Sequence, residues 1–176
     1  MSGWHAIIPL NLGRDCKTRL AGHLPADERE VLVRAMAAHV IAAVQGAVHV
    51  GSVAMLSPDR HDFDGVGWVK DWGRGLNAEL AAALGATCQL IVHADLPMLA
   101  SADIDAVIVA AEQAGSAIAP DRFGAGTNGL ALCAAAGFVP AFGVGSCARH
   151  KALLPGASLV DSPGLAHDID TADAYA

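Results

Sequence analysis

Residues 89–97 read Gln-Leu-Ile-Val-His-Ala-Asp-Leu-Pro, an apolar run followed by a carboxylate and a proline. The run from Leu90 to Val92 is typical of a strand that is buried on both faces of a sheet. Asp95 therefore follows closely on a buried strand. A carboxylate at that position can bind a magnesium ion, which prefers oxygen ligands and commonly keeps substrate phosphates among them. The alternative is that Asp95 only caps the turn before Pro97.

Strands and helices alternate on both sides of this segment. Expected strands cover residues 5–10, 48–56, 89–92, 116–119, 130–133, 158–160 and 165–169. Expected helices begin at Pro25, cover residues 77–84, run from the capping residue Ser101 to Gly115, and cover residues 146–154. This order predicts a three-layer α/β/α fold with a mostly parallel sheet. Ligands are then expected in the crevice beyond the carboxyl ends of the strands.

Length and composition limit the class of protein. The 176 residues suit one domain, 1–176, and 53% hydrophobic with 16% charged residues excludes a disordered chain. Charged residues interrupt every apolar run before it reaches about 18 residues, so no membrane span is expected. The net charge of −7 argues against a nucleic-acid partner, and the start of the chain lacks a secretory pattern, so we expect a cytoplasmic protein. The sequence leaves the oligomeric state open.

Three basic residues, Arg14, Lys17 and Arg19, lie within six residues after the first expected strand, in a chain with only 11 Lys plus Arg. Such a cluster can neutralise the phosphates of a nucleotide together with backbone N–H donors. A solvated loop before a helix explains the same pattern, and no Walker-type motif is present. Both interpretations stay open on this segment alone.

Two further carboxylates, Asp168 and Asp170, alternate along an expected extended segment and therefore share one face. They can complete a metal site with Asp95, but the pattern is explained more simply if Asp170 or Thr171 caps a last helix. The glycine-rich stretch 124–129 can bring backbone close to an anion or form a plain turn.

Other common sites are not indicated. Four cysteines lie far apart, eight histidines show no zinc spacing, and no Gly-x-Ser-x-Gly motif marks a hydrolase. The three tryptophans, Trp4, Trp68 and Trp72, are expected in the core, and only Trp72 borders a candidate loop.

Six segments together carry a resemblance to a known family. They are Ile8-Pro9-Leu10 with Lys17-Thr18-Arg19-Leu20, Gly75-Leu76-Asn77, His93-Ala94-Asp95-Leu96-Pro97, Pro120-Asp121-Arg122 with Gly126-Thr127-Asn128, Phe142-Gly143 with Ser146 and His150, and Asp168-Ile169-Asp170-Thr171. In order and spacing they resemble the CofC/FbiD family over nearly the whole chain. That family comprises the 2-phospho-L-lactate or phosphoenolpyruvate guanylyltransferases of deazaflavin coenzyme F-420 biosynthesis.

The resemblance implies a GT-A-like nucleotidyltransferase fold, GTP as donor, Mg²⁺ as cofactor, and a small phosphorylated carboxylic acid as acceptor. The acceptor would be 2-phospho-L-lactate, phosphoenolpyruvate or 3-phosphoglycerate. By matching motif, the resemblance assigns catalysis to Lys17 and Asp95, and metal binding to Asp95, Asp168 and Asp170. It assigns acceptor binding to Thr127, Gly143 and Ser146. The residues that it assigns to nucleotide binding are Arg14, Lys17, Arg19, Gly75 and Asn77. Ser146 is also a common type of helix cap, and that interpretation stays open.

Two rival functions remain at this point. A molybdopterin- or sugar-type nucleotidyltransferase shares the fold but typically carries a Leu-Ala-Gly-Gly-like loop, where this chain has Leu10-Asn11-Leu12-Gly13. A non-catalytic nucleotide-binding protein of the same fold is the other, because Asn11 stands where many family members have Lys.

Overall fold

The computed structural model describes residues 3–12 and 24–169, and these form one seven-stranded sheet flanked by helices. The strands are β1 (Trp4–Pro9), β2 (Val50–Ser57), β3 (Val66–Lys70), β4 (Gln89–Val92), β5 (Ser116–Pro120), β6 (Thr127–Leu132) and β7 (Ser158–Leu159). The helices are α1 (Ala26–Gln45), α2 (Leu76–Ala83), α3 (Ser101–Ala114), α4 (Ser146–Leu153) and α5 (Pro163–Ala166).

The strand order is β3-β2-β1-β4-β6-β5-β7. All neighbouring pairs are parallel except those that involve β6, which runs antiparallel to both β4 and β5. Because β1 has β2 on one side and β4 on the other, the order reverses at β1, which opens a crevice beyond the carboxyl ends of β1 and β4. The predicted mostly parallel α/β fold is confirmed.

Two apolar clusters cover the two faces of the sheet. Val40 of α1 and Ile104 of α3 pack with Leu90 and Val92 on one face. Leu80 of α2 and Cys147 of α4 pack with Ile91 on the other face. The alternation of side chains along β4 thus joins both layers, which explains why this strand is apolar throughout. No helix within residues 3–12 and 24–169 has the length and apolar character needed to cross a membrane.

Two strand predictions fail for physical reasons. Strand β3 was not predicted, because its residues 66–70 lie at the sheet edge, are only partly buried and include a glycine. The expected strand over 165–169 is wrong, because Pro163 begins the short helix α5. Only the end of that segment is extended, where the Ile169 N–H donates to the Asp95 carbonyl oxygen at 3.1 Å.

The start of α3 also corrects an expectation. Ser101 is the first helical residue rather than the cap, and Ala100 occupies the cap position. The Asp103 carboxylate accepts the Ala100 N–H at 2.8 Å and also accepts the Ser162 hydroxyl. Gly115 ends the helix in the left-handed conformation at φ 84°, as predicted.

We predict that Asp103→Ala lowers the free energy of unfolding by about 1–3 kcal/mol, because it removes two hydrogen bonds to a charged acceptor. Ser101→Ala, the matched variant at the expected cap, should change it by less than about 0.5 kcal/mol. Urea unfolding of both variants measures the difference. Equal losses in the two variants would restore Ser101 as the capping residue.

Candidate functional site

Two of the predicted metal ligands lie near the carboxyl end of β4. The Asp95 backbone pairs with Ile169, and the Asn128 side-chain amide donates to Asp168 Oδ1 at 3.4 Å and to the Leu165 carbonyl at 2.8 Å. Asn128 is buried, whereas Asp95 and Asp168 are both partly exposed. The tertiary structure therefore brings two carboxylates from distant parts of the chain to one edge of the sheet.

The donor chemistry of this edge suits Mg²⁺. Magnesium is usually held by one or two carboxylates, with water and substrate phosphates completing its shell. Over residues 3–12 and 24–169, no three or more His, Cys, Asp or Glu side chains converge as a metal cage. Two carboxylates beside an open crevice fit an ion that is shared with a phosphorylated substrate better than a fully protein-bound one.

A bulge in β6 changes the strand pairing next to two neighbouring polar residues, Thr127 and Asn128. Ala119 of β5 pairs with Gly129, but Pro120 pairs with Thr127, so Asn128 is an extra residue in β6. Such a bulge is common next to functional sites. Neighbouring residues of a strand point to opposite faces, and accordingly the Asn128 side chain contacts Asp168, whereas the Thr127 side chain contacts His150 of α4. The sequence placed the start of this strand at residue 130 and missed the bulge.

The hydrogen bonds of His150 determine its tautomer. The Ala141 N–H donates to His150 Nε2 at 2.9 Å, so Nε2 is unprotonated, and the proton lies on Nδ1, 2.9 Å from Thr127 Oγ1. Burial, followed by the charge of Arg149, lowers the pKa of His150 to about 4. The neutral ring therefore donates its Nδ1–H to the hydroxyl oxygen of the buried Thr127.

Gly143 and Ser146 lie in one loop, whose shape is set by Arg149. The guanidinium donates to the carbonyls of Ala141, Phe142 and Val144 at 2.7–3.2 Å. In a planar trans peptide the following N–H points the opposite way, so the N–H groups of Gly143 and Gly145 are directed away from Arg149. Both glycines have positive φ, 112° and 72°, which disfavours any other residue there.

Ser146 is the first residue of α4, and Gly145 is the cap, without a side-chain capping bond. The interpretation of Ser146 as a helix cap is therefore not supported. Ser146 is 2% exposed, and at this helix start the N–H groups of Ser146 and Cys147 donate to the carbonyls of Gly143 and Ala125 at 3.0 and 3.1 Å. Phe142 of the same loop packs its ring 5.1 Å from that of His93, two residues before Asp95. The loop thus borders the carboxylate edge.

The segment with Gly75 and Asn77 is held by Glu79. This carboxylate is 1% exposed and accepts the N–H groups of Trp72 and Arg74 and the Arg74 guanidinium at 2.7–3.0 Å. Its hydrogen bond with Arg74 lowers the pKa of Glu79 to about 2. Gly75 has φ 95° at the start of α2.

Asn77 connects this segment to the loop of Gly143. Its amide donates to the Phe142 carbonyl at 3.1 Å and accepts the Phe142 N–H at 2.7 Å. Both polar atoms of the side chain are therefore engaged within the protein. Its predicted contact with the nucleotide stays a prediction, and the observed contacts make it a residue that positions the loop.

Asp121 belongs to one of the sequence motifs but has no role predicted from the sequence, and in the structure it shapes a turn. Its carboxylate accepts the N–H groups of Phe123, Ala125 and Gly126 at 2.8–3.1 Å. A Cβ on Gly126 would lie 2.7 Å from Asp121 Oδ2, so only glycine fits. The donors of the glycine-rich stretch are turned towards Asp121 and are not an anion cradle. An Asp that starts a turn is the signal for this arrangement.

Arg14, Lys17, Arg19, Asp170 and Thr171 lie outside the described residues. Their predicted roles stay predictions.

Comparison with known proteins shows the family of the chain. The sequence profile of the family described as "Guanylyl transferase CofC like" matches residues 4–174. The chain belongs to this CofC-like family. Phosphoenolpyruvate guanylyltransferase of Sphaerobacter thermophilus is 39% identical over 94% of this chain and 87% of that protein. The protein of the same name from Conexibacter woesei is 38% identical over 96% of this chain and 83% of that protein.

The fold of this CofC-like chain also has solved counterparts. A crystal structure of 4-diphosphocytidyl-2C-methyl-D-erythritol synthase superposes with a TM-score of 0.66 over 99% of this chain and 96% of that one, at 14% identity. At that identity the likeness shows the fold alone. Together with the family membership, it confirms the expected nucleotidyltransferase fold, and the CofC-like chain is a nucleotidyltransferase.

We predict that this CofC-like protein loses stability as the pH falls from about 6.5 to about 4. The pKa of His150 is lowered from 6.5 to about 4 in the folded state, so over this range the unfolded state binds the additional proton and unfolding is favoured. The contribution of neutral His150 to the free energy of unfolding is fully present above pH 6.5. Its loss on acidification lowers the free energy of unfolding by about 3 kcal/mol. Urea midpoints across pH measure it, and His150→Gln should flatten this part of the profile. An equally steep profile in the variant would contradict the neutral buried ring.

Proposed function

We propose that the protein transfers GMP from GTP to a small phosphorylated carboxylic acid and releases pyrophosphate, in deazaflavin coenzyme F-420 biosynthesis. The observation that carries the proposal is the juxtaposition of Asp95 and Asp168 with the loop that contains Gly143 and Ser146. The family membership and the names of the relatives support guanylyl transfer. The acceptor is one of three acids: phosphoenolpyruvate, which the names of the relatives contain, 2-phospho-L-lactate or 3-phosphoglycerate. Residues 1–176 act as one catalytic domain.

The chemistry requires alignment and charge neutralisation. A phosphate monoester is largely a dianion near neutral pH, so its oxygen attacks the α-phosphorus of GTP without a general base. A new P–O bond forms between the acceptor phosphate and the α-phosphorus, and the bond from the α-phosphorus to the β-phosphate oxygen breaks. The electron pair leaves with pyrophosphate. Neutral His150, with both ring nitrogens in hydrogen bonds, is consistent with a mechanism that does not use a histidine base.

Asp95, Asp168 and Asp170 hold Mg²⁺ in this proposal, and the two described carboxylates fit such an ion. A bound magnesium ion supplies charge neutralisation on the phosphates. Lys17, with Arg14 and Arg19, contacts the phosphates of GTP from the segment after β1, and Lys17 neutralises the charge that develops on the pyrophosphate. Gly75 and Asn77 belong to the segment that receives the nucleoside.

Thr127, Gly143 and Ser146 bind the acceptor. Thr127 offers its hydroxyl proton, because its oxygen already accepts from His150. Gly143 offers an N–H that is directed away from Arg149, and Ser146 offers a hydroxyl at the start of α4. Three neutral donors suit an anion whose charge is shared with a metal ion.

The proposal is tested by measuring pyrophosphate release with Mg²⁺, each nucleoside triphosphate and each of the three acids. We expect release with GTP and at least one acid, and much slower release with ATP or CTP. Release with a sugar phosphate instead would favour the sugar-type alternative. Absence of release with all three acids under GTP would refute the proposed reaction.

We predict that Asp95→Asn lowers kcat by at least roughly 100-fold while the melting temperature stays close to that of the wild type, because the amide keeps the shape but loses the charge. Asp59→Asn is the control, since Asp59 is an exposed carboxylate just beyond the end of β2. Steady-state kinetics at saturating magnesium and a melting curve provide the measurement. Wild-type kcat in Asp95→Asn would eliminate the metal role, and a strongly lowered melting temperature would indicate a structural one.

We predict that Ser146→Ala raises the KM for the phosphoacid several-fold and leaves the KM for GTP within about twofold, because one neutral hydrogen bond contributes roughly 0.5–1.5 kcal/mol. Ser101→Ala is the matched control, since Ser101 is also the first residue of its helix. Kinetics with each substrate varied in turn decide the matter. An unchanged phosphoacid KM would remove Ser146 from the acceptor site.

A further inference from the structure

Trp72 does not lie in the core. Its relative exposure is 72%, compared with 3% for Trp4, which packs in the core as expected, and 40% for Trp68. Trp72 follows the carboxyl end of β3 and immediately precedes the Gly73–Asn77 segment. A large aromatic ring left open at the ligand-binding edge of an α/β sheet is an arrangement that a ligand can cover.

The backbone of Trp72 is fixed although its ring is exposed. Its N–H donates to Glu79 Oε1 at 3.0 Å, and Glu79 is itself buried in α2. The Lys70 ammonium donates to the Pro58 carbonyl and lies 5.8 Å from the centroid of the Trp72 ring and 5.7 Å from that of Trp68. The ring therefore has an anchored backbone and a cation beside it, and most of its surface remains open.

The distance between Trp72 and the carboxylates is comparable with the length of an extended nucleotide. In the strand order, β3 lies three strands from β4, a separation of about 14 Å. The segment between them ends at Asn77, which binds the Phe142 backbone, and the Phe142 ring contacts His93 beside Asp95. A nucleotide whose phosphates lie near Asp95 can follow this segment outward, and its base then reaches Trp72.

We infer that Trp72 is the stacking platform for the base of the donor nucleotide. The inference rests on the proposed function, since it assumes that the phosphates lie near Asp95. An aromatic ring stacks on the face of any base and does not contact the hydrogen-bonding edge. Trp72 therefore contributes affinity for the nucleotide, while the choice of guanine over adenine resides in other groups of the site. The Lys70 ammonium lies beside the Trp72 ring and helps to hold the ring in place by a cation–π interaction.

Kinetics of three variants test the inference. Trp72→Ala should raise the KM for GTP by about five- to 150-fold, the factor that corresponds to loss of one base–aromatic stack. Trp72→Phe should retain most of the affinity. Trp68→Phe is the matched control, because Trp68 contacts the same Lys70 but donates its Nε1–H to the Ser57 carbonyl, and it should behave as the wild type.

Two further measurements distinguish binding of the base from binding of the phosphates and of the acceptor. Inorganic tripolyphosphate carries the phosphates without a base, so its inhibition constant should be the same in the wild type and in Trp72→Ala. The KM for the phosphoacid should also be unchanged. A similar loss of affinity for tripolyphosphate and for GTP in Trp72→Ala would show that the substitution disturbs the phosphate site, and this would overturn the inference.

Tryptophan fluorescence gives a measurement that needs neither turnover nor the alanine variant. GTP without acceptor should quench the emission of the wild type and of Trp68→Phe, and the quenching should be largely lost in Trp72→Phe. Quenching that persists in Trp72→Phe, or a KM for GTP in Trp72→Ala within twofold of the control, overturns the inference. If no acid supports pyrophosphate release but GTP still quenches Trp72, the proposed reaction fails and the stacking site stands.

Discussion

The site depends on the direction of one strand. Strand β6 runs antiparallel to β4, with Val92 opposite Gly129, and the His93 N–H donates to the Asn128 carbonyl at 3.0 Å beyond the last pair. Because of this direction, the amino end of β6 lies at the same edge of the sheet as the carboxyl end of β4. Thr127 and Asn128 therefore join Asp95, and a parallel β6 would place them at the opposite edge. Their side chains point to opposite faces of the sheet, so Asn128 contacts Asp168 and Thr127 contacts His150 of α4.

Charged side chains give the loops their shape where no strand pairing is available. Glu79 holds the segment after β3, Asp121 holds the turn before β6, and Arg149 holds the loop before α4. Each binds several backbone groups that would otherwise lack partners, and such charge-assisted bonds are the strong ones. The donors used in this way are not available to a ligand. The N–H groups of Gly143 and Gly145 are not used in this way, because they point away from Arg149.

These arrangements agree with a reaction that needs little acid–base chemistry. His150 is buried, neutral and hydrogen-bonded through both nitrogens, and in this state it orients Thr127. The carboxylates lie where a cation shared with phosphates is expected. The groups that differ most from the sequence expectation, Asn77 and Trp72, lie at the two ends of one segment. The Asn77 side chain is hydrogen-bonded to the backbone of Phe142, whereas the Trp72 ring is exposed.

The sequence by itself determined the local elements whose signals are contained within a few residues. Gln89–Val92 has the predicted bounds because a run of apolar residues can only be buried on both faces, and α3 ends at Gly115 because only glycine readily adopts its φ. The alternation of these elements was sufficient for the fold class and for placing Asp95 at a ligand-binding edge. Only the tertiary structure decided the direction of β6, the bulge at Asn128 and the pairing of Asp168 with the Asp95 edge. Each of these depends on hydrogen bonds between residues far apart in the chain, and local propensity does not specify which distant strand or side chain satisfies a given backbone group.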